Sequence, residues 1–358
     1  MACRASSTEA ERASSGVVSR KEAGKGQGPT QVGRYLRAVP PPNSIRLLLQ
    51  LVLLGGLGTA PLMAAQAQPA QPQLHRQAAT ASFEVPFKLV GGLIILQQLT
   101  LNGQRGDFVL DTGCTYDLVV EQTAFPKSQL RLSAKRGLSA AGNIPLYELP
   151  ITQFALGALH DHPPLALATS LASIRAVVGP QLLGLIGTGL LLRYEVVLDY
   201  AHRRLRFYPL ASSHSPARPF TRRDSVAFTL QKGWPIVVAF IDSVPVQLLL
   251  DTGAQDSSLD ADFAQNLRVG ARPTGTQREV LLAPGGRVVA RRAKLPALQV
   301  GTITWREVPV VLAPPVRYQS GRALPYQGVL GESFLSKEPL VSFHFGRRQF
   351  YFLTPTKP

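Results

Sequence analysis

Two short stretches of the sequence carry side chains that can do acid–base chemistry together. In each, an apolar run typical of a buried strand leads into an aspartate, a threonine and a glycine. The copies are Asp111-Thr112-Gly113 and Asp251-Thr252-Gly253, with the acids 140 positions apart. Burial at a strand end disfavours the charge of an aspartate. Two such acids that face each other share one proton, so that one is a general base and the other a general acid.

The residues after each acid are suited to a loop that turns sharply and lies close to a second segment of the chain. Thr112 and Thr252 can hydrogen-bond to local backbone, and Gly113 and Gly253 let the chain turn sharply and let a second backbone approach. One Asp-Thr-Gly copy alone is more typical of a strand that ends in a turn. Two copies on matching strands favour a site instead.

The two stretches resemble the active-site loops of the pepsin and retropepsin superfamily of aspartic proteases, and the second copy is most similar to the retroviral form. In that superfamily an apolar-apolar-glycine segment packs behind each loop, and this chain has two, Leu185-Ile186-Gly187 and Val329-Leu330-Gly331. The resemblance implies that Asp111 and Asp251 are the catalytic acids. It implies supporting roles for Thr112, Gly113, Thr252, Gly253, Gly187 and Gly331. The glycines of residues 184–189 fall in the wrong order for a dinucleotide loop.

The resemblance also implies an activity. A water activated between the two acids would hydrolyse a peptide bond in a protein or peptide substrate bound as an added strand, without a cofactor or a metal. Two alternatives stay open: a catalytically weak or inactive peptide-binding protein of the cell envelope, and a basic interaction protein.

Two glycine-bearing segments, residues 137–142 and 283–286, are candidates for substrate-covering flaps, with ordinary hairpins as the equal alternative. The residues expected to contact substrate there are Leu138, Ser139, Pro284 and Gly285. Tyr147 is a candidate flap tyrosine on loose spacing only. Departures from the family pattern are Cys114 and Gln255, which replace smaller or hydroxyl residues, and Cys114 is predicted to be buried and structural.

Length and composition predict an all-β protein, and the resemblance implies two pseudo-symmetric aspartic-protease lobes with the active-site cleft between them. The 358 residues include 31 Gly and 29 Pro, and short apolar runs between turn residues predominate. Residues 194–207 and 338–351 align at a spacing of 144, and both are predicted to form hairpins. The predicted lobes are residues 82–210 and 225–358, joined by a linker at 211–224. With one acid from each lobe, we expect a monomer.

The N-terminal region is predicted to direct export, to the periplasm or the medium. Residues 1–44 are polar and basic and are predicted to be disordered. An apolar run at 47–54, preceded by arginines and followed by Ala65-Gln66-Ala67, is typical of a secretory signal. We expect cleavage after Ala67, which makes 1–67 the leader and 68–81 a flexible spacer; the alternative is an uncleaved membrane anchor at 45–65. No later stretch is apolar enough to span a membrane stably.

The net charge of +16 does not by itself indicate a nucleic-acid partner. The leader holds eight of the 38 Lys and Arg and three of the 22 Asp and Glu, which leaves +11 for the rest. Those charges are scattered or form short clusters without interleaved aromatic residues, so a solvated surface is the preferred interpretation and no nucleic acid is expected. Cys114 is the only cysteine after the leader, and no metal-ligand pattern is present.

Overall fold

Strands dominate the computed structural model, which describes residues 46–47, 52–54, 81–159, 163–210, 218–266, 272–317 and 321–356. The predicted all-β class is confirmed. The rest of the predicted leader, its cleavage site and residues 68–80 of the spacer lie outside the described residues. No helix in the described ranges combines the length and the hydropathy that a membrane crossing requires.

The strands fall into three groups along the chain. Two short strands come first: β1 Arg46–Leu47 and β2 Val52–Leu54. The first half then contains β3 Phe83–Pro86, β4 Lys88–Val90, β5 Leu93–Leu101, β6 Gln104–Asp111, β7 Leu118–Glu121, β8 Arg131–Ser139, β9 Gly142–Pro150, β10 Phe154–Ala155, β11 Leu165–Thr169, β12 Leu182–Gly187, β13 Tyr194–Asp199 and β14 Arg204–Pro209. The second half contains β15 Phe220–Gln231, β16 Trp234–Ile241, β17 Val244–Leu250, β18 Ser258–Asp260, β19 Arg272–Ala283, β20 Gly286–Val300, β21 Ile303–Ala313, β22 Gly328–Leu330, β23 Leu340–His344 and β24 Gln349–Pro355.

Helices are few and short. The α-helices are α1 Ala172–Val178, α2 Thr188–Leu191, α3 Ala261–Asn266 and α4 Glu332–Leu335, and 3-10 turns occur at Gln122–Ala124 and Lys127–Gln129. Burial follows strand periodicity: β20 alternates buried and exposed residues, as expected of a strand with one face in solvent. The last four residues of β6 are all buried, which fits a strand covered on both faces.

The two halves pair their central strands in the same pattern. In the first half β6 pairs parallel with β12, β12 antiparallel with β7, and β7 parallel with β11. In the second half β17 pairs parallel with β22, β22 antiparallel with β18, and β18 parallel with β21. The predicted pseudo-symmetry is therefore present. In each half the strand that ends at an acid lies beside the strand that carries the apolar-apolar-glycine segment.

A shared sheet joins the halves. Both predicted hairpins form, as β13–β14 and β23–β24, and they pair with each other through β13 and β23. The sheet runs β15-β24-β23-β13-β14-β3. The predicted linker ended at residue 224, but β15 already begins at Phe220. Arg222 and Arg223 lie within β15, and the Arg222 guanidinium stacks on the ring of Tyr351 in β24.

One hydrophobic cluster runs through both halves and includes residues next to both acids. It contains Leu110 and Leu250, the residues directly before the two acids, together with Ile186 and Leu330 from the adjacent strands. Because apolar burial surrounds both strand ends, the carboxyl groups that follow them are removed from bulk water.

Candidate active site

The two Asp-Thr-Gly loops are joined by exchanged hydrogen bonds between their threonines. The Thr112 N–H donates to Thr252 Oγ1 at 3.1 Å, and the Thr252 N–H donates to Thr112 Oγ1 at 3.0 Å. Each hydroxyl then donates to the carbonyl before the other acid, Thr112 to Leu250 at 2.7 Å and Thr252 to Leu110 at 2.8 Å. Local backbone partners were predicted for these hydroxyls from the sequence, and this prediction is wrong, since the partners belong to the opposite half.

The glycines allow each loop to lie directly against the other half's carboxyl group. A Cβ atom on Gly113 would be 2.4 Å from Oδ2 of Asp251, and one on Gly253 would be 2.4 Å from Cγ of Asp111. Neither glycine has a positive φ. Glycine is therefore required at both positions by close approach and not by a left-handed turn.

The two carboxyl groups are fully buried, and each is oriented by backbone N–H groups. Oδ1 of Asp111 accepts from the Cys114 N–H at 2.9 Å, and Oδ1 of Asp251 accepts from Gly253 at 2.8 Å and from Gly113 at 3.2 Å. Among the described residues, neither Oδ2 atom has a partner apart from the facing carboxyl group. One oxygen of each acid is thus held by backbone N–H groups, and the two carboxyl groups interact with each other.

This environment keeps a proton on the pair. Burial raises the pKa of Asp111 to about 7, against the opposing effect of the Cys114 N–H. Burial, followed by the nearby charge of Asp111, raises the pKa of Asp251 well above its usual range. Both shifts favour the protonated form, so the pair retains a proton that one carboxyl can donate after the other has lost its own and can accept one.

The apolar-apolar-glycine strands pack behind the loops, as predicted. A Cβ atom on Gly187 would be 2.2 Å from the carbonyl oxygen of Tyr116, and one on Gly331 would be 2.6 Å from that of Ala254. The next residues donate N–H groups to the loops, Thr188 to Cys114 and Glu332 to Ala254, each at 2.8 Å.

Both candidate flaps are hairpins, and their tips touch. The turns are at 140–141 between β8 and β9 and at 284–285 between β19 and β20. Ser139 Oγ donates to the carbonyl of Pro284 at 2.6 Å, and a Cβ on Gly285 would be 2.5 Å from Ile144. Leu138 is buried in a cluster with Trp234. The role of these residues in substrate binding stays a prediction.

Two further residues of the sequence analysis are located by the structure. Cys114 is buried and is not in a disulfide, and burial raises the pKa of its thiol, so the prediction of burial is confirmed. Tyr147 lies within β9, where it packs against the main core rather than at the turn. Across the described ranges, no group of three or more histidine, cysteine, aspartate or glutamate residues is placed to hold a metal ion.

Comparison with known proteins gives a family match in the second half of the chain. Residues 237–334 match the family model described as aspartyl protease. That range includes Asp251, Thr252, Gly253 and Gly331. The crystal structure of basic 7S globulin from soybean is similar over 78% of this chain and 96% of its own, at 13% identity and a TM-score of 0.41. No similar sequence was found among curated proteins.

Trp234, in the second half, contacts the Asp111-Thr112-Gly113 loop of the first half. This contact was not predicted from the sequence. The Trp234 side chain is fully buried, and its indole Nε1–H donates to the carbonyl of Gly113 at 2.8 Å. Nothing in the sequence pairs a tryptophan with a glycine 121 positions earlier, although a tryptophan at a strand start is a candidate for a buried polar contact.

We expect Trp234→Phe to lower kcat for peptide hydrolysis by about 10-fold, because it leaves the buried Gly113 carbonyl without its donor, a change worth about 1–3 kcal/mol. KM should change much less, since the residue positions the loop. Steady-state kinetics measures both values. Trp305→Phe, which removes a half-buried indole packed on Phe334, is the matched control and should stay within about 2-fold. Equal effects of the two substitutions would contradict the positioning role.

Glu332 is a buried acid that was also not predicted from the sequence. It lies at the start of α4, and both of its carboxyl oxygens contact the hydroxyl of Tyr200, at 2.8 and 3.1 Å. Burial raises the pKa of Glu332 to about 8, against the opposing effect of the Tyr200 hydrogen bond. The corresponding position in the first half is Thr188, so the internal symmetry of the sequence gives no signal for this pair.

Glu332 should make stability fall as pH rises. Because its pKa is raised on folding, its contribution is fully present below its ordinary value of 4.5 and is lost as pH rises through about 8. Glu332→Gln keeps an acceptor for Tyr200 without a charge. We expect its Tm to equal the wild-type value near about pH 4.5 and to exceed it by about 5 °C near pH 8. Thermal melts at both pH values test this, and parallel curves would contradict it.

Proposed function

We propose that this chain is an aspartic endopeptidase that hydrolyses peptide bonds with a water activated between Asp111 and Asp251. The observation that carries the proposal is the reciprocal contact in which each half's glycine lies against the other half's carboxyl group. Two buried acids held this way have raised pKa values and retain a proton that they can share. Paired general acid and general base chemistry is what peptide hydrolysis without a covalent intermediate requires.

The reaction follows from the two protonation states. The charged carboxyl takes a proton from the water, whose oxygen attacks the carbonyl carbon of the substrate. The protonated carboxyl donates to the carbonyl oxygen, which gives a tetrahedral diol. Collapse of the diol breaks the C–N bond as one diol hydroxyl gives its proton to the pair and the leaving nitrogen receives a proton from the pair. The acids then again share one proton, and the products are a carboxylic acid and an amine.

The hairpins β8–β9 and β19–β20 supply edges for an extended substrate. A peptide that adds a strand there receives main-chain hydrogen bonds, while its alternate side chains enter pockets. A protein or peptide substrate and a monomeric enzyme are consistent with this arrangement, because a single chain provides both acids. We also propose export to the periplasm or the medium, on the apolar run and the Ala65-Gln66-Ala67 pattern of the leader.

A cleavage assay with the full chain tests the activity. The protein is incubated at about pH 5 with a denatured protein mixture, and new peptide termini are identified by mass spectrometry over several hours. We expect new termini with the wild type and none above background with Asp251→Asn. Addition of a metal chelator should change nothing. Binding of peptides without any hydrolysis would overturn the catalytic proposal in favour of a peptide-binding protein.

A further inference from the structure

The β19–β20 hairpin of the second half carries an excess of positive charge. Its two strands contain six arginine and lysine residues and a single acid. That acid, Glu279, pairs with Arg292. Among the described residues, Arg278, Arg287 and Arg291 are in no ion pair and donate to no acceptor of the protein. The charge of these three arginines is therefore not neutralised by the described part of the chain.

Two of these arginines lie in a row with an apolar residue between them. Along β20, Arg287, Val289 and Arg291 are exposed, whereas Val288 and Ala290 are buried. Alternate residues of a strand point to the same face, so arginine, valine and arginine follow one another there at steps of about 7 Å. Val289 is 49% exposed, which leaves apolar surface in solvent between two charges.

The third arginine lies beside the end of this row. Arg278 in β19 is directly opposite Arg291 in the antiparallel register. Like charges that face each other across two strands destabilise the pairing. An anion bound between the two guanidinium groups would relieve this repulsion, and a carboxylate accepts strong hydrogen bonds from such groups. We call Arg278, Arg287, Val289 and Arg291 together the arginine row.

A groove with an apolar lining runs along the same face. Its volume is about 500 Å³, within the range of about 300–1,000 Å³ that is typical of ligand sites. Its walls combine two arginines and the valine of the row with Leu312 of β21, Pro314 and one side of α3, including Ala264. The groove can therefore hold an apolar group next to a bound carboxylate.

We propose that the arginine row is a second substrate-binding site, which takes an acidic segment of a protein substrate away from the hydrolysed bond. This inference rests on the proposed endopeptidase activity. An extended peptide presents every second side chain to one face, at the same steps of about 7 Å as the row. The segment that fits has an acidic, an apolar and a second acidic side chain at alternate positions. Its carboxylates pair with the arginines, and its apolar side chain packs on Val289 and in the groove.

The residue types of the hairpin favour a peptide over a nucleic acid. Neither β19 nor β20 contains an aromatic residue, and none lines the groove. The bases of a single strand would therefore have no ring on which to stack, although stacking supplies much of the affinity for single-stranded nucleic acids. The half-exposed valine between the charges suits an aliphatic side chain instead.

The row lies on the same hairpin as the second candidate flap, which relates it to the catalytic site. The hairpin turns at 284–285, and Arg291 lies five residues beyond Gly286 in β20, about 17 Å along the strand. The acidic segment is therefore separated by about five residues from the part of an extended substrate that lies at the turn. The site selects long substrates and does not affect short ones.

Peptide binding to the full-length, inactive Asp251→Asn protein tests the site without hydrolysis. The probe is a fluorescent peptide, Gly-Glu-Gly-Leu-Gly-Glu-Gly, whose Kd is measured by fluorescence anisotropy at about pH 6. Replacement of both glutamates by glutamine should raise the Kd by about 10-fold or more, because two charge pairs are lost. A peptide of the same composition with adjacent glutamates should also bind more weakly, because only one of its carboxylates meets the row. Added salt should weaken binding of the probe.

Substitutions in the same inactive background locate the site. Arg291→Gln should raise the Kd of the probe by about 5-fold. Arg306→Gln is the matched control, because Arg306 is exposed on β21 of the same sheet, opposite Ala297 and outside the row, and its effect should stay within about 2-fold. The double variant Arg287→Glu, Arg291→Glu should reverse the preference, so that it binds the peptide with lysine in place of both glutamates more tightly than the probe.

Kinetics of the active protein test whether the bound segment belongs to a substrate. For a peptide substrate with the acidic segment attached through five residues, Arg291→Gln should raise KM by about 5-fold and leave kcat unchanged. For the same substrate without the segment, neither value should change. Unchanged KM for both substrates would overturn the inference, and so would equal effects of Arg291→Gln and Arg306→Gln on the probe. Tighter binding of a single-stranded oligonucleotide of equal charge would also overturn it. Specific probe binding without hydrolysis of any peptide would overturn the proposed function alone.

Discussion

Asp111→Asn and Asp251→Asn are each expected to lower kcat/KM for peptide hydrolysis by about 10²–10⁴-fold or more, because each removes either the base or the proton donor of the pair. Folding should survive, since asparagine has nearly the same shape and carries no buried charge. Both acids have raised pKa values in the folded state, so their stabilising contribution is present below about pH 4 and is lost as pH rises. The variants should therefore melt no lower than the wild type near neutral pH.

Steady-state kinetics and thermal melts on the purified variants provide the measurement. Asp107→Asn is the matched control, because Asp107 lies four residues earlier in β6, where its carboxylate accepts from the Gln98 N–H. An asparagine there keeps an acceptor, so activity should stay within about 2-fold. A well-folded Asp251→Asn protein that hydrolyses peptides at the wild-type rate would contradict the assignment of the acids.

Gly113→Ala and Gly253→Ala are expected to abolish hydrolysis, with a loss of about 100-fold or more, although neither side chain does chemistry. The added methyl group would lie 2.4 Å from an atom of the opposite carboxyl group, far inside van der Waals contact. Relief of that overlap moves one acid relative to the other, and a displacement of about 1 Å costs about 10²-fold in rate. Overpacking of this kind also destabilises a fold by about 1–3 kcal/mol.

Gly103 is a control that distinguishes the effect of steric overlap at Gly113 and Gly253 from the effect of backbone strain. A Cβ atom on Gly103 would meet nothing within 4 Å, but its φ is +77°. Gly103→Ala should therefore lower the free energy of unfolding by about 1 kcal/mol and leave kcat/KM unchanged. If Gly253→Ala behaved like Gly103→Ala in both measurements, the two loops would not be as close as described.

The sequence was sufficient for features that are local or repeated. Asp111 and Asp251 end apolar runs, and the glycines at 187 and 331 follow similar runs, so strand periodicity and turn chemistry locate them without tertiary information. The hairpins at 137–142 and 283–286 were predicted for the same reason. What remained open there, whether they act as flaps, depends on contacts between segments 145 positions apart, such as Ser139 with Pro284.

Contacts between distant residues could not be predicted, because a hydrogen bond leaves no trace in the sequence of either partner alone. The threonine hydroxyls were expected to bond locally but reach the opposite loop, and Trp234 and Glu332 find partners 121 and 132 positions away. The predicted end of the linker at residue 224 lies inside β15, where Arg222 packs over the aromatic ring of Tyr351 from another strand, a contact between residues 129 positions apart.

The pH dependence of kcat/KM for a peptide substrate tests most directly whether the two acids work as one pair with one shared proton. We expect a bell-shaped profile with its maximum at mildly acidic pH. The rate should fall toward lower pH as the base is protonated and toward higher pH as the shared proton is lost, and burial, which raises the pKa of both acids, moves both limbs to higher pH than for exposed aspartates. A metal chelator should leave the profile unchanged. A rate that rises steadily through pH 8, or a bell that persists in Asp111→Asn, would contradict the account.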